Sequence, residues 1–85
     1  MNWEAEEARL YMSQRLRVAL AASGHTRSSI AERIGVSVSV VSKWTRGAHL
    51  PNPEHLQAFA AQTSASLDWL CAQAPVILKN PETTA

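Results

Sequence analysis

The sequence predicts a compact all-α domain of five helices, and three observations lead to this class. Residues 4–23 contain no glycine or proline and are rich in alanine, leucine, glutamate and arginine, which favour helices. Apolar residues recur at helical spacing in later segments, and Gly24, Gly35 and Gly47 divide the chain into helix-length pieces. With 85 residues, 46% of them apolar and 18% charged, the chain suits one small packed domain.

The first two helices are predicted to end at glycines. One spans residues 4–23 and stops before Gly24. Thr26 is the predicted N-cap of the next, at residues 27–34, which ends at Gly35. This second helix has about two turns, so its neighbours must stabilise it. The apolar residues that we expect to face the core are Met12, Leu16, Ala19, Leu20, Ile30, Ala31 and Ile34.

The segment GVSVSVVSKWTRG, residues 35–47, admits two interpretations. Its first half alternates valine and serine, as a strand with one wet face would. Wound as a helix, residues 38–46 instead separate an apolar side that includes Val41 and Trp44 from a polar and basic side. A strand would put Lys43 on the face of Val41. We therefore predict a helix with Trp44 in the core.

The last two helices are predicted beyond the loop AHLPNP. Pro53 suits the first turn of a helix that is capped by Asn52 and runs to about residue 63. Ser66 is the predicted N-cap of a last short helix that contains Trp69, and Pro75 stops that helix.

The net charge of +1 conceals a segregated distribution. Between residues 8 and 50 there are seven arginine or lysine residues and a single acidic residue, Glu32, while the other acidic residues lie outside this range. Segregated positive charge of this kind favours an anionic partner.

Two short helices in succession, at residues 27–34 and 38–46, form a predicted helix-turn-helix. A helix fits the DNA major groove, and small outward side chains allow its backbone to approach base edges. Arg27 and Arg46 lie near helix ends, where we expect them to reach phosphates. Val38 is suited to contact with a thymine methyl. The outward residues that we expect to contact bases are Val38, Ser39, Ser42 and Lys43.

The stretch RLRVALAASGHTRSSIAERIGVSVSVVSKWTRG resembles the lambda-repressor and Cro-type helix-turn-helix domain. Four motifs carry the resemblance, namely Arg15-Leu16-Arg17, Gly24-His25-Thr26-Arg27, residues 31–35 and residues 37–47. The resemblance covers roughly residues 12–71. It implies a lambda-repressor-like domain at residues 1–74, with the helix-turn-helix at 26–47, followed by a C-terminal tail at 75–85.

The resemblance implies a sequence-specific DNA-binding transcriptional regulator, in particular a Cro-like homodimeric repressor of an inverted-repeat operator. The predicted backbone contacts are Arg27, Ser28, Ser37 and Arg46. This sequence departs from the family pattern at four positions. Val38 stands where relatives commonly have arginine or glutamine, Arg27 where they have glutamine, His25 where they have leucine, and Ser64 where they have glycine.

Dimerisation is expected because one helix-turn-helix contacts few base pairs. The apolar C-terminal residues that we expect at the dimer interface are Trp69, Leu70, Val76, Ile77 and Leu78. Two alternatives stay open on the same scaffold. One is an antitoxin-type autoregulator, and the other is a protein-interaction module without DNA readout. The expected partners are double-stranded DNA and a second copy, with a toxin or antirepressor as a candidate protein partner.

No cofactor, metal or enzyme activity is expected. The three histidines and Cys71 lack a zinc-binding spacing. Ser28, His25 and Asp68 lack the nucleophile elbow that a hydrolase triad requires. The single cysteine, the absence of a signal peptide and the lack of a long apolar run favour a cytoplasmic protein, associated with the nucleoid through DNA.

Overall fold

The computed structural model describes residues 3–72, which form five α-helices as the sequence predicts. The helices are α1 (Trp3–Ser23), α2 (Arg27–Ile34), α3 (Val38–Arg46), α4 (Pro53–Thr63) and α5 (Leu67–Cys71). The ambiguous valine–serine segment is helical, and no strand occurs within residues 3–72. The all-α class is therefore confirmed.

Side-chain caps begin each of the four later helices. The hydroxyl oxygen of Ser37 accepts a hydrogen bond from the backbone N–H three residues on, at 3.1 Å, and thereby starts α3. Thr26 and Ser29 form a reciprocal capping box at the start of α2. Asn52 and Ser66 cap α4 and α5 in the same position. These caps fix where the helices start.

The helices surround a single core. The first helix, α1, packs against α3, α4 and α5, while α2 packs against α3 and α4. Each helix contributes at least one buried side chain, and the largest of them are Trp44, Phe59, Leu16, Ile30, Leu70 and Val41. The apolar stripes predicted for α1 and α2 are buried in this core, except that Met12 and Ile34 are only partly buried.

Trp44 lies at the centre of the core, as predicted. Its side chain is 1% exposed. Its ring meets the ring of Phe59 edge to face, with 6.4 Å between centroids, and the ring of His55 at 5.7 Å. Both partners belong to α4, so Trp44 fixes the rotation of α3 about its own axis.

Gly47 ends α3 in close contact with α1. Its φ of +78° is left-handed, and a Cβ atom added there would lie 3.2 Å from the hydroxyl oxygen of Ser13 and 3.4 Å from a methyl carbon of Leu10. The Ser13 hydroxyl donates to the carbonyl oxygen of Leu10 at 2.9 Å and is buried. The last turn of α3 therefore rests directly on α1.

We expect Trp44→Ala to lower the free energy of unfolding by about 3–5 kcal/mol, because the indole is buried on all sides and the cavity cannot close fully. Denaturant unfolding measures the change. Leu67→Ala is the control, since that side chain is 37% exposed, and it should cost far less. A loss below about 1 kcal/mol for Trp44→Ala would contradict its central position.

Gly47→Ala should destabilise the domain more than Gly35→Ala. Both glycines have positive φ, at +78° and +91°, so each substitution carries a backbone cost of about 1–2 kcal/mol. Only Gly47 has side chains within contact distance of the added methyl, and the crowding should add about 1 kcal/mol. An equal loss of stability for the two variants in thermal unfolding would contradict this, because it would show that α1 makes room for the methyl group at no energetic cost.

Candidate nucleic-acid interface

The outer surface of α3 is polar, basic and accessible. Val41, Trp44 and Thr45 are buried on its inner side, so the residues on the opposite side turn outward. Of the four residues predicted to contact bases, Val38, Ser39 and Lys43 are exposed, and Ser42 is partly exposed. We call these four residues the reading face.

Val38 is the apolar member of the reading face, with 43% of its surface exposed. It occupies the first turn of α3, directly after the cap at Ser37. The side chain of an exposed valine cannot donate or accept a hydrogen bond, but it can cover a methyl group of a thymine.

The four residues predicted to contact the DNA backbone are all exposed, and they lie at helix ends. Arg27 and Ser28 form the first turn of α2, where the backbone N–H groups of a helix favour an anion. Ser37 caps the start of α3, and Arg46 is its last residue. The Arg46 Nε donates a long hydrogen bond of 3.4 Å to the carbonyl oxygen of Ser42.

The turn between α2 and α3 holds the two helices together. The N–H groups of Gly35 and Val36 both donate to the carbonyl oxygen of Ala31, at 2.8 and 3.0 Å. Val36 packs against the core, so the turn is anchored by a side chain as well as by its backbone. Since α2 also packs against α3, the first turn of α2 and the reading face belong to one packed pair of helices.

The basic residues between positions 8 and 50 are not all on the surface. Arg17, Arg27, Arg33, Lys43 and Arg46 are exposed. Arg15, in contrast, is only 5% exposed, and its guanidinium carbon lies 5.4 Å from the ring centroid of Trp69 in a cation–π contact. Arg15 therefore joins α1 to α5 and does not contribute to a surface for an anionic partner.

The predicted dimer residues divide into three groups. Leu70 is 0% exposed and belongs to the core, so including it in a dimer interface was wrong, because its side chain has no surface to offer to a second copy. Trp69 is partly buried against the core and retains exposed surface. Val76, Ile77 and Leu78 lie outside the described residues.

One contact beside the reading face is not predicted by the sequence. The guanidinium of Arg17, on α1, donates a hydrogen bond to the backbone carbonyl oxygen of Thr45 near the end of α3. The sequence places Arg17 in the Arg15-Leu16-Arg17 motif but assigns it no contact. Its partner is 28 positions away, so the contact depends on how α1 and α3 pack.

Other kinds of site are not evident in the described part of the chain. Within residues 3–72, no group of three histidine, cysteine, aspartate or glutamate residues is arranged to hold a metal ion. None of the helices in this range is long and apolar enough to span a membrane.

The fold defines a helix-turn-helix protein that binds DNA and regulates transcription. The model of the helix-turn-helix family matches residues 16–70. The chain belongs to this family, in its lambda-repressor and Cro/C1 type, which confirms the resemblance seen in the sequence.

A solved structure supports the same assignment. The P22 c2 repressor protein, crystallised in complex with synthetic operator 9T in the presence of Tl+, matches with a TM-score of 0.68 and 27% sequence identity. The match covers 74% of this chain and 96% of that one. Among curated proteins no sequence matches significantly.

Proposed function

We propose that this chain is a Cro-like homodimeric repressor, in which each copy inserts α3 into the major groove of one half of an inverted-repeat operator. The observation that carries this proposal is the reading face, where small and basic side chains are exposed on a helix whose opposite side is buried around Trp44. Occupation of an operator that overlaps a promoter would block polymerase.

The shape and the side chains of α3 fit the major groove. An α-helix with its side chains is about 10–12 Å in diameter, which matches the groove width of about 12 Å. The short side chains of Ser39 and Ser42 let the helix backbone approach base edges, while Lys43 can reach an acceptor on guanine. Val38 adds contact with a thymine methyl.

The phosphate contacts come from helix ends on either side of the reading face. Arg27 and Ser28 approach the backbone from the start of α2, where the helix dipole assists. Ser37 and Arg46 lie at the two ends of α3. Such contacts fix the register of the protein on the duplex and carry no sequence information themselves.

A second copy is needed because one α3 helix contacts only a few base pairs. In helix-turn-helix dimers the two recognition helices occupy successive major grooves, about 34 Å apart on one side of the duplex. The P22 c2 repressor, whose solved structure contains an operator, supports DNA as the partner. The exposed part of Trp69 and the apolar residues Val76, Ile77 and Leu78 are the proposed contact between copies.

We expect the two groups of contacts to respond differently to substitution. Arg27→Ala and Arg46→Ala should weaken binding to operator and scrambled DNA alike, and each should reduce the salt slope by about one. Ser39→Ala, which changes no charge, and Lys43→Ala should each weaken binding to operator by about 1–3 kcal/mol. Their effect on binding to scrambled DNA should be smaller. The measurement is titration at several salt concentrations with a duplex selected from a random library and its scrambled version.

Arg33→Ala is the matched control, because it removes an exposed arginine of α2 that is outside the proposed contacts. It should change binding less than Arg27→Ala. Uracil in place of the contacted thymine should reproduce the effect of Val38→Ala. Equal losses on both duplexes for Ser39→Ala, Lys43→Ala and the arginine variants would contradict base reading by α3.

Truncation after Ala72 should leave a folded monomer with weakened operator binding. This cut keeps Leu70 in the core and retains the hydrogen bond from the Ala72 N–H to the carbonyl oxygen of Trp69. Sedimentation reports the oligomeric state, and circular dichroism reports the fold. A truncated protein that sediments as the same dimer would refute the proposed role of residues 76–78.

A further inference from the structure

The last turn of α3 is held by one stripe of α1. Leu10, Ser13 and Arg17 are spaced by three and four residues, so they lie on the same side of that helix. Leu10 and Ser13 lie where a Cβ atom on residue 47 would meet them, and the guanidinium of Arg17 donates to the carbonyl oxygen of Thr45. We call these three residues the α1 seat.

The carbonyl groups at the end of α3 need partners, because a helix leaves its last four without partners from within the helix. The backbone N–H groups of Gly47, Ala48 and His49 donate to the carbonyl oxygens of Lys43 and Trp44. The carbonyl oxygen of Thr45 receives its hydrogen bond from Arg17, a cation on another helix. The positive charge of Arg17 also interacts favourably with the negative end of the α3 dipole.

From this contact we infer that Arg17 is a positioning residue for DNA recognition, which holds the C-terminal end of α3 in register on α1 without contacting DNA itself. The inference rests on the proposed function, in which the reading face contacts bases. Base contacts require side chains to be placed within about 0.5 Å, and an unanchored helix end would not keep Lys43 and Ser42 in place. Loss of Arg17 therefore lowers the preference for operator over scrambled DNA, and has less effect on the electrostatic attraction to DNA of any sequence.

Arg17→Met tests this role, because methionine keeps an unbranched aliphatic chain but donates no hydrogen bond. In the free protein, the amides of Gly47, Ala48 and His49 should exchange about tenfold faster, as expected from loss of one hydrogen bond to a charged group. The ratio of operator to scrambled affinity should fall by about tenfold, while the salt slope stays unchanged. Arg17→Lys, which keeps a charged donor, should retain much of the amide protection and much of the preference for operator.

Arg27→Met is the matched control. It removes another exposed arginine, one that belongs to the proposed phosphate contacts, so it should reduce the salt slope by about one and leave the three amides unchanged. If Arg17→Met gave this same result, Arg17 would be an ordinary phosphate contact and the inference would be overturned. Failure of the wild-type protein to prefer its selected duplex would refute the proposed function instead, since amide exchange reports the seating of α3 without DNA.

Discussion

The burial of one side of α3 is the constraint on which the rest of the interface depends. Trp44 and Val41 are almost completely buried, so the rotation of α3 is fixed and the reading face is directed outward. The cap at Ser37 sets where the helix begins, and the left-handed conformation of Gly47 sets where it ends. Core packing and capping therefore determine the geometry of the interface in this domain.

Local sequence signals were sufficient to predict the helices. Thr26, Ser37, Asn52 and Ser66 are side chains that accept hydrogen bonds from helix N-termini, so helix starts could be read directly from the chain. The alternation of valine and serine in α3 favours a strand by period alone. The helix prevails because it buries Trp44 with Val41 and satisfies its own backbone, and because a capping residue begins it.

Roles that depend on packing between distant helices could not be predicted in this way. Arg15 and Arg17 belong to one motif and look equivalent in sequence, yet Arg15 is buried against Trp69 while Arg17 bonds to the backbone of α3. Two positions along a helix correspond to a rotation of about 200°, which sends their side chains to different neighbours. Leu70 was assigned to an interface for the same reason, since the docking of α5 on α1 cannot be read from α5 alone.

The central claim is that the exposed side of α3 reads DNA, and titration of the isotope-labelled protein with its selected duplex, followed by NMR of the backbone amides, tests it most directly. The account predicts that the largest shift changes fall on residues 38–43 and on the first turn of α2, with little change in α4. Shift changes centred on α4, or none in α3 at saturating DNA, would contradict it.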